Sequence, residues 1–387
     1  MARGRKASKT KSHIATLLYG KQGTGKSTLA LQLAYLKNPD GSPLRILYLD
    51  AENGSIDDYL GGLESDGINL DNIYIVYTLS LSEVRQYIDK VKNNEDFYEL
   101  DDDGNETDEI VLDADGKPFR ADAIVVDGTT VLNMTVKQGL IQFSQKRNKV
   151  KADKDNLIGD ARTVKIEGAG LELKDYNTVN FKGQDLVLDL MSTGVHFVIT
   201  ARETDEKISV KDNDGKVTSV ATGKKIAEGF KEMGHNVKTE IRLFKEDNDT
   251  ETVYAYVIKD RTGVHRNGEI IEDPTMLDWQ TIIDKTAKNK SFVLGNALEH
   301  ATKVEQDIYS KEVLAKVGEI PTQEQNNSSS EKTATQLRNE ITSYLKSLAP
   351  RDKSAIRNKL TEAGLPTAFK NVKDVEILQT VLNTIQA

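Results

Sequence analysis

Short apolar runs alternate with helix-length amphipathic stretches along most of the chain. The runs at residues 44–50, 123–127 and 196–200 are rich in Leu, Ile and Val, which predicts buried strands. The stretches between them have the three- to four-residue apolar spacing of helices. Buried strands separated by helices are typical of a mostly parallel sheet covered on both faces. The pattern therefore predicts an α/β fold for the greater part of the chain.

The pattern changes near both ends of the chain. Residues 1–12 are basic and lack apolar periodicity, which predicts a flexible arm, and residues 318–333 have the polar composition of a linker. Beyond the linker, apolar spacing over residues 334–387 predicts a small module of three helices. The α/β core then spans residues 13–317, with an acidic insertion near residues 93–118.

Composition and charge narrow the class of protein. The 387 residues include 61 acidic and 52 basic ones, a net charge of −9, which argues against a uniformly basic coat for nucleic acid but leaves local patches open. Residues 93–115 hold eleven acidic and no basic residues, which predicts an exposed hairpin. There is no cysteine, so disulfides and thiolate metal sites are excluded. Without a membrane-length apolar run or a signal peptide, we expect a cytoplasmic protein with no membrane partner.

Residues 20–27 form the most informative motif of the chain. They read Gly-Lys-Gln-Gly-Thr-Gly-Lys-Ser, which matches the phosphate-binding pattern G-x-x-x-x-G-K-[ST] between a predicted strand and a predicted helix. The glycines let backbone N–H groups turn toward a polyphosphate, and the helix N-terminus adds its positive end. The predicted nucleotide-binding residues are Gly20, Lys21, Gln22, Gly23, Thr24, Gly25, Lys26, Ser27 and Thr28.

Three side chains have individual predicted roles at this site. Lys26 can reach the β- and γ-phosphates, and the Ser27 hydroxyl can bind Mg²⁺. Asp127 closes the strand at residues 123–127, where an acid can hold Mg²⁺ through water beside Ser27. An aspartate that ends a buried strand can also be an ordinary turn or cap residue.

A second acidic segment resembles a known family. Glu52 lies two residues after Asp50, just past a buried strand, where a carboxylate could orient the water that attacks a γ-phosphate. Asp50-Ala51-Glu52 followed by Tyr59 is similar to the strand end of RecA-type recombinases. The resemblance implies that the nucleotide is ATP, that Glu52 is the catalytic base and that Tyr59 stacks on adenine. The alternative for Glu52 is a solvated acid in a loop, and the alternative for Tyr59 is a packed residue of a helix.

Lys259-Asp260-Arg261 carries a further resemblance, to the Lys-x-Arg element that RecA-like ATPases present to a neighbouring subunit. It implies a homo-oligomer in which Lys259 and Arg261 neutralise charge on the transferred phosphoryl group. The alternative is a charged β-turn.

The resemblance covers about His13 to Gln280, and its type is that of RecA-like P-loop ATPases of bacteriophage genomes, some of which anneal single-stranded DNA. It implies a Mg²⁺-dependent ATPase acting on single-stranded DNA in phage recombination or replication, in the bacterial host cytoplasm. After the strand at residues 196–200, RecA has a glutamine that senses the γ-phosphate, whereas this chain has Ala201-Arg202-Glu203. The resemblance therefore identifies no sensor.

Partners are predicted from mobile cations, which phosphate contacts require. One candidate set is a cluster after the predicted helix, and the other falls in a Gly-containing loop. They are Lys146, Arg147, Lys149, Lys151 and Lys154, and Lys207, Lys211, Lys216, Lys224 and Lys225. The stretch Lys332–Ala387 has nine basic and five acidic residues, net +4, and could touch DNA or a single-strand-binding protein. The alternative functions are a helicase or helicase-loading motor, and a nucleotide-gated interaction module with little turnover.

Overall fold

The computed structural model describes most of the chain. The described ranges are 12–101, 104–211, 217–246, 248–285 and 302–308, with short pieces between 337 and 386. Apart from Ser12, the predicted arm lies outside the described residues, as does the predicted linker at 318–333. The chain divides into two units, Met1–Ser310 and Lys311–Ala387, and each is described by itself.

The described residues of the first unit include eleven strands and eight α-helices with named bounds, and residues 302–308 are also helical. The strands are β1 (Ala15–Gly20), β2 (Ile46–Asp50), β3 (Ile73–Tyr77), β4 (Tyr98–Leu100), β5 (Glu106–Ile110), β6 (Ala123–Asp127), β7 (His196–Lys211), β8 (Val217–Ala227), β9 (Thr239–Glu246), β10 (Asp249–Asp260) and β11 (Ile270–Glu272). The helices are α1 (Lys26–Leu31), α2 (Asp57–Ser65), α3 (Leu81–Asn93), α4 (Thr129–Lys154), α5 (Gly159–Glu167), α6 (Leu173–Thr193), α7 (Met233–Asn236) and α8 (Gln280–Asp284).

Nine of the strands form one sheet in the order β11-β10-β9-β1-β7-β6-β2-β3, with β8 paired to β7. Strands β9, β1, β7, β6, β2 and β3 run parallel to one another, whereas β10 pairs antiparallel with both β9 and β11, and β8 pairs antiparallel with β7. The predicted α/β class with a mostly parallel sheet is confirmed by these pairings.

Hydrophobic side chains cover both faces of the sheet, because successive residues of a strand point to opposite sides. On one face, Leu17 and Val126 pack in a cluster with residues of α3, α4 and α6. On the other, Leu18 and Val125 pack with residues of α1 and α8, including the buried Trp279 beside α8. Two separate cores therefore hold the central strands. No helix in the described part of the chain is long and apolar enough to span a membrane.

The register of the parallel strands decides which residues meet at the carboxyl edge of the sheet. Gly20, the last residue of β1, pairs with Arg202 of β7. Asp50, the last residue of β2, pairs with Asp127 of β6. Residues that are far apart in the sequence thus lie side by side at one edge.

Two predicted surface segments have different outcomes. The acidic insertion contains the antiparallel pair β4 and β5, as the expected hairpin requires. The prediction of a loop is wrong for Lys207, Lys211, Lys224 and Lys225, which lie in the antiparallel strands β7 and β8, and Lys216 lies outside the described residues. Pairs such as Ile208 with Val220 explain the difference, since β-branched residues favour extended backbone even when exposed.

The described residues of the second unit are largely helical. Leu337, Ile341, Leu360, Leu378, Val381, Leu382 and Ile385 form a buried apolar cluster, and one helix spans Val375–Gln386. Of the basic residues in Lys332–Ala387, Lys359 alone belongs to the described residues. The number of helices and the proposed contacts of this module stay predictions.

Helix α6 packs closely against the segment after β8 at Gly183 and Phe230. A Cβ built on Gly183 of α6 would lie 2.3 Å from Cβ of the buried Phe230. We expect Gly183→Ala to lower the free energy of unfolding by about 1–3 kcal/mol in a urea titration, since an added methyl group would overpack this contact.

The matched control is Gly139→Ala on the exposed surface of α4, where no described heavy atom lies within 4 Å of an added Cβ. This change should raise the free energy of unfolding by roughly 0.5–1 kcal/mol, because glycine is unfavourable inside a helix. Equal effects of the two substitutions would contradict the packing of Gly183 against Phe230.

Candidate active site

The loop between β1 and α1 has the backbone conformation that its glycines permit. Gly23 and Gly25 have φ angles of 76° and 75°, a region that side-chain-bearing residues rarely adopt. A Cβ on Gly20 would lie 2.2 Å from the backbone oxygen of Leu243. Each glycine of the motif therefore meets a local requirement of the backbone, two for conformation and one for space.

Lys26 lies at the start of α1 and points back across the loop. Its Nζ donates a hydrogen bond to the Lys21 carbonyl at 2.9 Å, and Thr24 Oγ1 donates to the same oxygen at 2.9 Å. Burial lowers the pKa of the Lys26 ammonium, while the carboxylates of Glu52 and Asp127 act in the opposite direction. The ammonium thus lies in the electrostatic field of both predicted acidic residues.

Asp127 is 1% exposed and is surrounded by hydroxyl groups. Its Oδ2 accepts hydrogen bonds from the Tyr48 hydroxyl at 2.6 Å and from Ser55 Oγ at 2.8 Å, and its Oδ1 accepts one from Thr200 Oγ1. Burial raises the pKa of the Tyr48 hydroxyl, and the charge of Asp127 is the second cause of this shift. The hydroxyl therefore keeps its proton and remains a donor. These three donors stabilise the buried carboxylate.

The oxygen ligands at this site fit Mg²⁺ only when the ion is bound together with phosphates. No group of three or more His, Asp or Glu side chains in the described residues could hold a metal by itself. A carboxylate has about four acceptor positions, and three of those on Asp127 are occupied, which leaves room to hold a metal-bound water. Ser27 supplies a hydroxyl oxygen, and Mg²⁺ is typically bound by few protein oxygens together with phosphates and water.

Asp50 organises the loop that presents Glu52. It is fully buried, and its carboxylate accepts hydrogen bonds from the backbone N–H groups of Glu52 at 2.7 Å, Gly54 at 2.8 Å and Ser55 at 3.1 Å. Because these contacts shape the chain after β2, Asp50 acts as a structural support for the loop that carries Glu52 and Ser55.

Glu52 contacts Arg202, a residue to which the sequence motifs give no role. Its Oε1 accepts hydrogen bonds from Nε of Arg202 at 3.3 Å and from Nη2 at 3.2 Å. Arg202 belongs to the segment Ala201-Arg202-Glu203, where the sequence departs from the RecA resemblance, and that departure is the sequence signal which marks the segment. The pair lies at the mouth of the site, with the Arg202 side chain 48% and the Glu52 side chain 28% exposed.

A cavity of about 420 Å³ brings most of the predicted residues together. Its lining residues are Gln22, Gly23, Gly25, Lys26, Ser27, Thr28, Glu52, Ser55, Tyr59 and Arg202. Asp127 lies behind this lining and reaches it through its hydrogen bond with Ser55. A second cavity of about 330 Å³ shares Gly25 and Thr28 and extends to Pro274.

Lys259 and Arg261 do not line either cavity. Lys259 Nζ donates to the backbone carbonyls of Gly234 and, at 2.7 Å, Val237, at the end of α7 in its own chain. Burial lowers the pKa of Lys259, and the charge of Arg261 adds to this effect. Arg261 is exposed, and its guanidinium has no hydrogen bond or ion pair with the described residues. The role of this pair at a neighbouring site stays a prediction.

Comparisons with known proteins give little information on this chain. No protein-family model matches it, and no curated protein matches it. Among solved structures it is similar to a KaiC-like protein from the hyperthermophilic archaeon Pyrococcus horikoshii OT3, at 14% identity over 67% of this chain and 89% of that one, with a TM-score of 0.33. The fold class rests on the strand pairings of the sheet.

Proposed function

We propose that the chain is a RecA-like ATPase that hydrolyses ATP with Mg²⁺ and acts on single-stranded DNA in phage recombination or replication. The observation that supports hydrolysis is the shared cavity, in which Glu52 faces the same space as Lys26 and Ser27. A phosphate-binding loop alone is common to many activities. A carboxylate across from the loop adds the group that a hydrolytic reaction needs.

The reaction follows from these positions. A water oxygen forms a bond to the γ-phosphorus, the bond from that phosphorus to the bridging oxygen breaks, and its electron pair leaves with ADP. Glu52 accepts the proton of the water. Lys26 and the loop N–H groups stabilise the charge on the phosphoryl oxygens. Mg²⁺, when bound to the phosphates beside Ser27 and Asp127, would neutralise further charge.

Tyr59 is the proposed platform for the adenine ring. It lines the cavity of about 420 Å³ and is 48% exposed, so it is accessible to a ligand. Aromatic stacking on the base would orient the triphosphate toward the loop.

Removing the charge of Glu52 tests the proposed hydrolysis. We expect Glu52→Gln to bind ATP nearly as well as the parent protein and to hydrolyse it about 10²- to 10⁴-fold more slowly, because the amide cannot accept the water's proton. The measurements are the turnover rate at saturating ATP and the affinity for a fluorescent ATP analogue.

Two variants control this experiment. Glu64→Gln changes an exposed acid of the nearby helix α2 and should leave turnover unchanged. Lys26→Ala should abolish nucleotide binding itself, because the ammonium is the charge that meets the phosphates. Turnover of Glu52→Gln within a few-fold of the parent would rule out Glu52 as the base.

The exposed face of α4 is the proposed DNA contact. Lys146, Lys149, Lys151 and Lys154 are exposed and have no ion pair with the described residues. Phe143 nearby is 56% exposed, with the Arg147 guanidinium 5.3 Å from its ring centre, and it offers a surface on which a base could stack. On the β7–β8 hairpin, by contrast, Lys225 is paired with Asp205 and Lys224 with Glu206. The α4 set therefore offers four exposed lysines without an ion pair among the described residues, whereas the hairpin offers two, Lys207 and Lys211.

Neutralising three of these lysines tests the DNA contact. In the variant Lys146→Ala/Lys149→Ala/Lys151→Ala, the slope of log affinity for single-stranded DNA against log salt should fall by about 2, at about 0.7 for each lost phosphate contact. Alanine keeps the helix intact. The comparison variant is Lys207→Ala/Lys211→Ala on the hairpin.

An unchanged slope in the α4 variant, with a reduced one in the hairpin variant, would move the contact to the hairpin. No binding of single-stranded DNA by the parent protein would reject the DNA role. The helicase alternative shares the same ATP site, and unwinding of a duplex rather than annealing of complementary strands would favour it.

We further propose that the protein is a homo-oligomer in which Arg261 reaches the site of a neighbouring copy. Lys259 is held by carbonyls of its own chain, so Arg261 is the cation of this pair that is available to another subunit. An added cation at the γ-phosphate would stabilise the transition state.

Mixing two inactive variants tests this assembly. Arg261→Ala and Lys26→Ala should each be poorly active alone, and the mixture should regain turnover, because some interfaces join an intact loop to an intact arginine. The control mixture is Lys26→Ala with Glu52→Gln, in which every site is defective, and it should stay inactive. No recovery in the first mixture, when differently tagged copies are shown to co-purify, would reject the role of Arg261 between subunits.

A further inference from the structure

We propose that Arg202 recognises the γ-phosphate, and that it does so by exchanging its present partner, Glu52, for the phosphoryl oxygens. The inference rests on the proposed ATPase function and deepens it. It assigns to Arg202 the distinction between a nucleoside triphosphate and a diphosphate, and it makes release of the catalytic base depend on that distinction.

The backbone of Arg202 is held next to the phosphate-binding loop. Strand β7 runs parallel to β1, and Arg202 pairs with Gly20, the first residue of the motif. Its N–H donates to Thr130 Oγ1 at 2.9 Å, and its carbonyl accepts a hydrogen bond from the Glu228 N–H at 2.7 Å. Because the backbone is anchored on both sides, a change of partner requires movement of the side chain alone.

The ion pair with Glu52 is loosely made. Its two donor–acceptor distances, 3.3 and 3.2 Å, are longer than the roughly 2.7–2.9 Å of strong charge-assisted hydrogen bonds, and both donors contact a single oxygen. The pair is also partly accessible to water, which weakens it further. The Arg202 side chain lines the cavity together with Lys26, so a ligand bound there can compete with Glu52 for its N–H donors.

The neighbouring charges leave Arg202 free for this exchange. The side chain of the next residue, Glu203, is only 4% exposed, and it already forms an ion pair with Arg242 at 2.8 Å. Glu52 is the acid that Arg202 contacts within the described part of the chain. The arginine charge also acts on the Lys26 ammonium, where it contributes to the lowered pKa. Two cations therefore converge on the space where a polyphosphate would lie.

A γ-phosphate changes this balance. Its oxygens present the geometry that a guanidinium binds through two parallel hydrogen bonds, which a single carboxylate oxygen does not offer. When Arg202 turns to the phosphate, Glu52 loses its partner and becomes available to accept the proton of the attacking water. With ADP there is no γ-phosphate to bind, and the pair with Glu52 persists. Arg202 thus contributes to affinity for ATP and not for ADP.

Nucleotide affinities test the contact between Arg202 and the γ-phosphate. They are measured for ATP and for ADP in the Glu52→Gln background, which limits hydrolysis and also removes the carboxylate. Arg202→Ala in this background should weaken ATP binding by about 10- to 100-fold, the value of a charge-assisted contact, and leave ADP binding within about twofold. Arg202→Lys should fall between these, since an ammonium keeps the charge but not the planar fork.

The control variant is Arg162→Ala, which removes an arginine of similar exposure, 37%, from its ion pair with Asp153 on a surface remote in sequence from the loop. It should leave both affinities unchanged. An unchanged ratio of ATP to ADP affinity in Arg202→Ala would overturn the inference. So would an equal loss for both nucleotides, which indicates a structural role only.

The outcome also separates this inference from the proposed function. If Lys26→Ala leaves the binding of both nucleotides unchanged, or if the parent protein binds neither, the nucleotide site itself is wrongly assigned. If Lys26→Ala abolishes both while Arg202→Ala preserves the ratio, the site stands and the role of Arg202 alone is rejected.

Discussion

The register of the parallel strands β1, β7, β6 and β2 is the constraint on which the candidate site depends. It pairs Gly20 with Arg202 and Asp50 with Asp127 at one edge of the sheet. Because side chains alternate between the two faces of a strand, a shift of one residue would turn each of these side chains to the opposite face. Because both faces of the sheet are packed, the shift would also mismatch the side chains of two apolar cores. Packing energy therefore fixes the geometry of the polar groups.

Two buried carboxylates at this edge are stabilised in different ways. Asp50 accepts three backbone N–H hydrogen bonds, whereas Asp127 accepts three from hydroxyl groups. An unsatisfied buried charge would be very unfavourable, so both acids need such donors. Backbone donors cannot leave without rearranging the loop, which makes Asp50 a permanent support. Hydroxyl donors can rotate, so Asp127 can still accept a contact from a metal-bound water.

Local patterns carried the prediction of the phosphate-binding loop, the central strands and the acid at the end of β6. Each of these depends on residues that are close in sequence, such as Gly25, Lys26 and Ser27. The contact between Glu52 and Arg202 joins residues 150 positions apart, and no local pattern contains it. The carbonyl contacts of Lys259 depend on the four-residue helix α7, too short for periodicity to predict. The β7–β8 hairpin was predicted as a loop because its many lysines interrupt the pattern of β-branched residues that would indicate strands.

The cations of the site are held less firmly than its buried acids. Lys26 donates to one carbonyl, and Arg202 makes two long contacts with a partly exposed glutamate. Asp50 and Asp127, in contrast, are buried, and each accepts three hydrogen bonds. A polyphosphate repels carboxylates and attracts cations, so binding it requires that the cations move while the acids stay in place. The difference in how the two sets are held matches this requirement, because weak, exposed contacts are the ones that a ligand can replace at small cost.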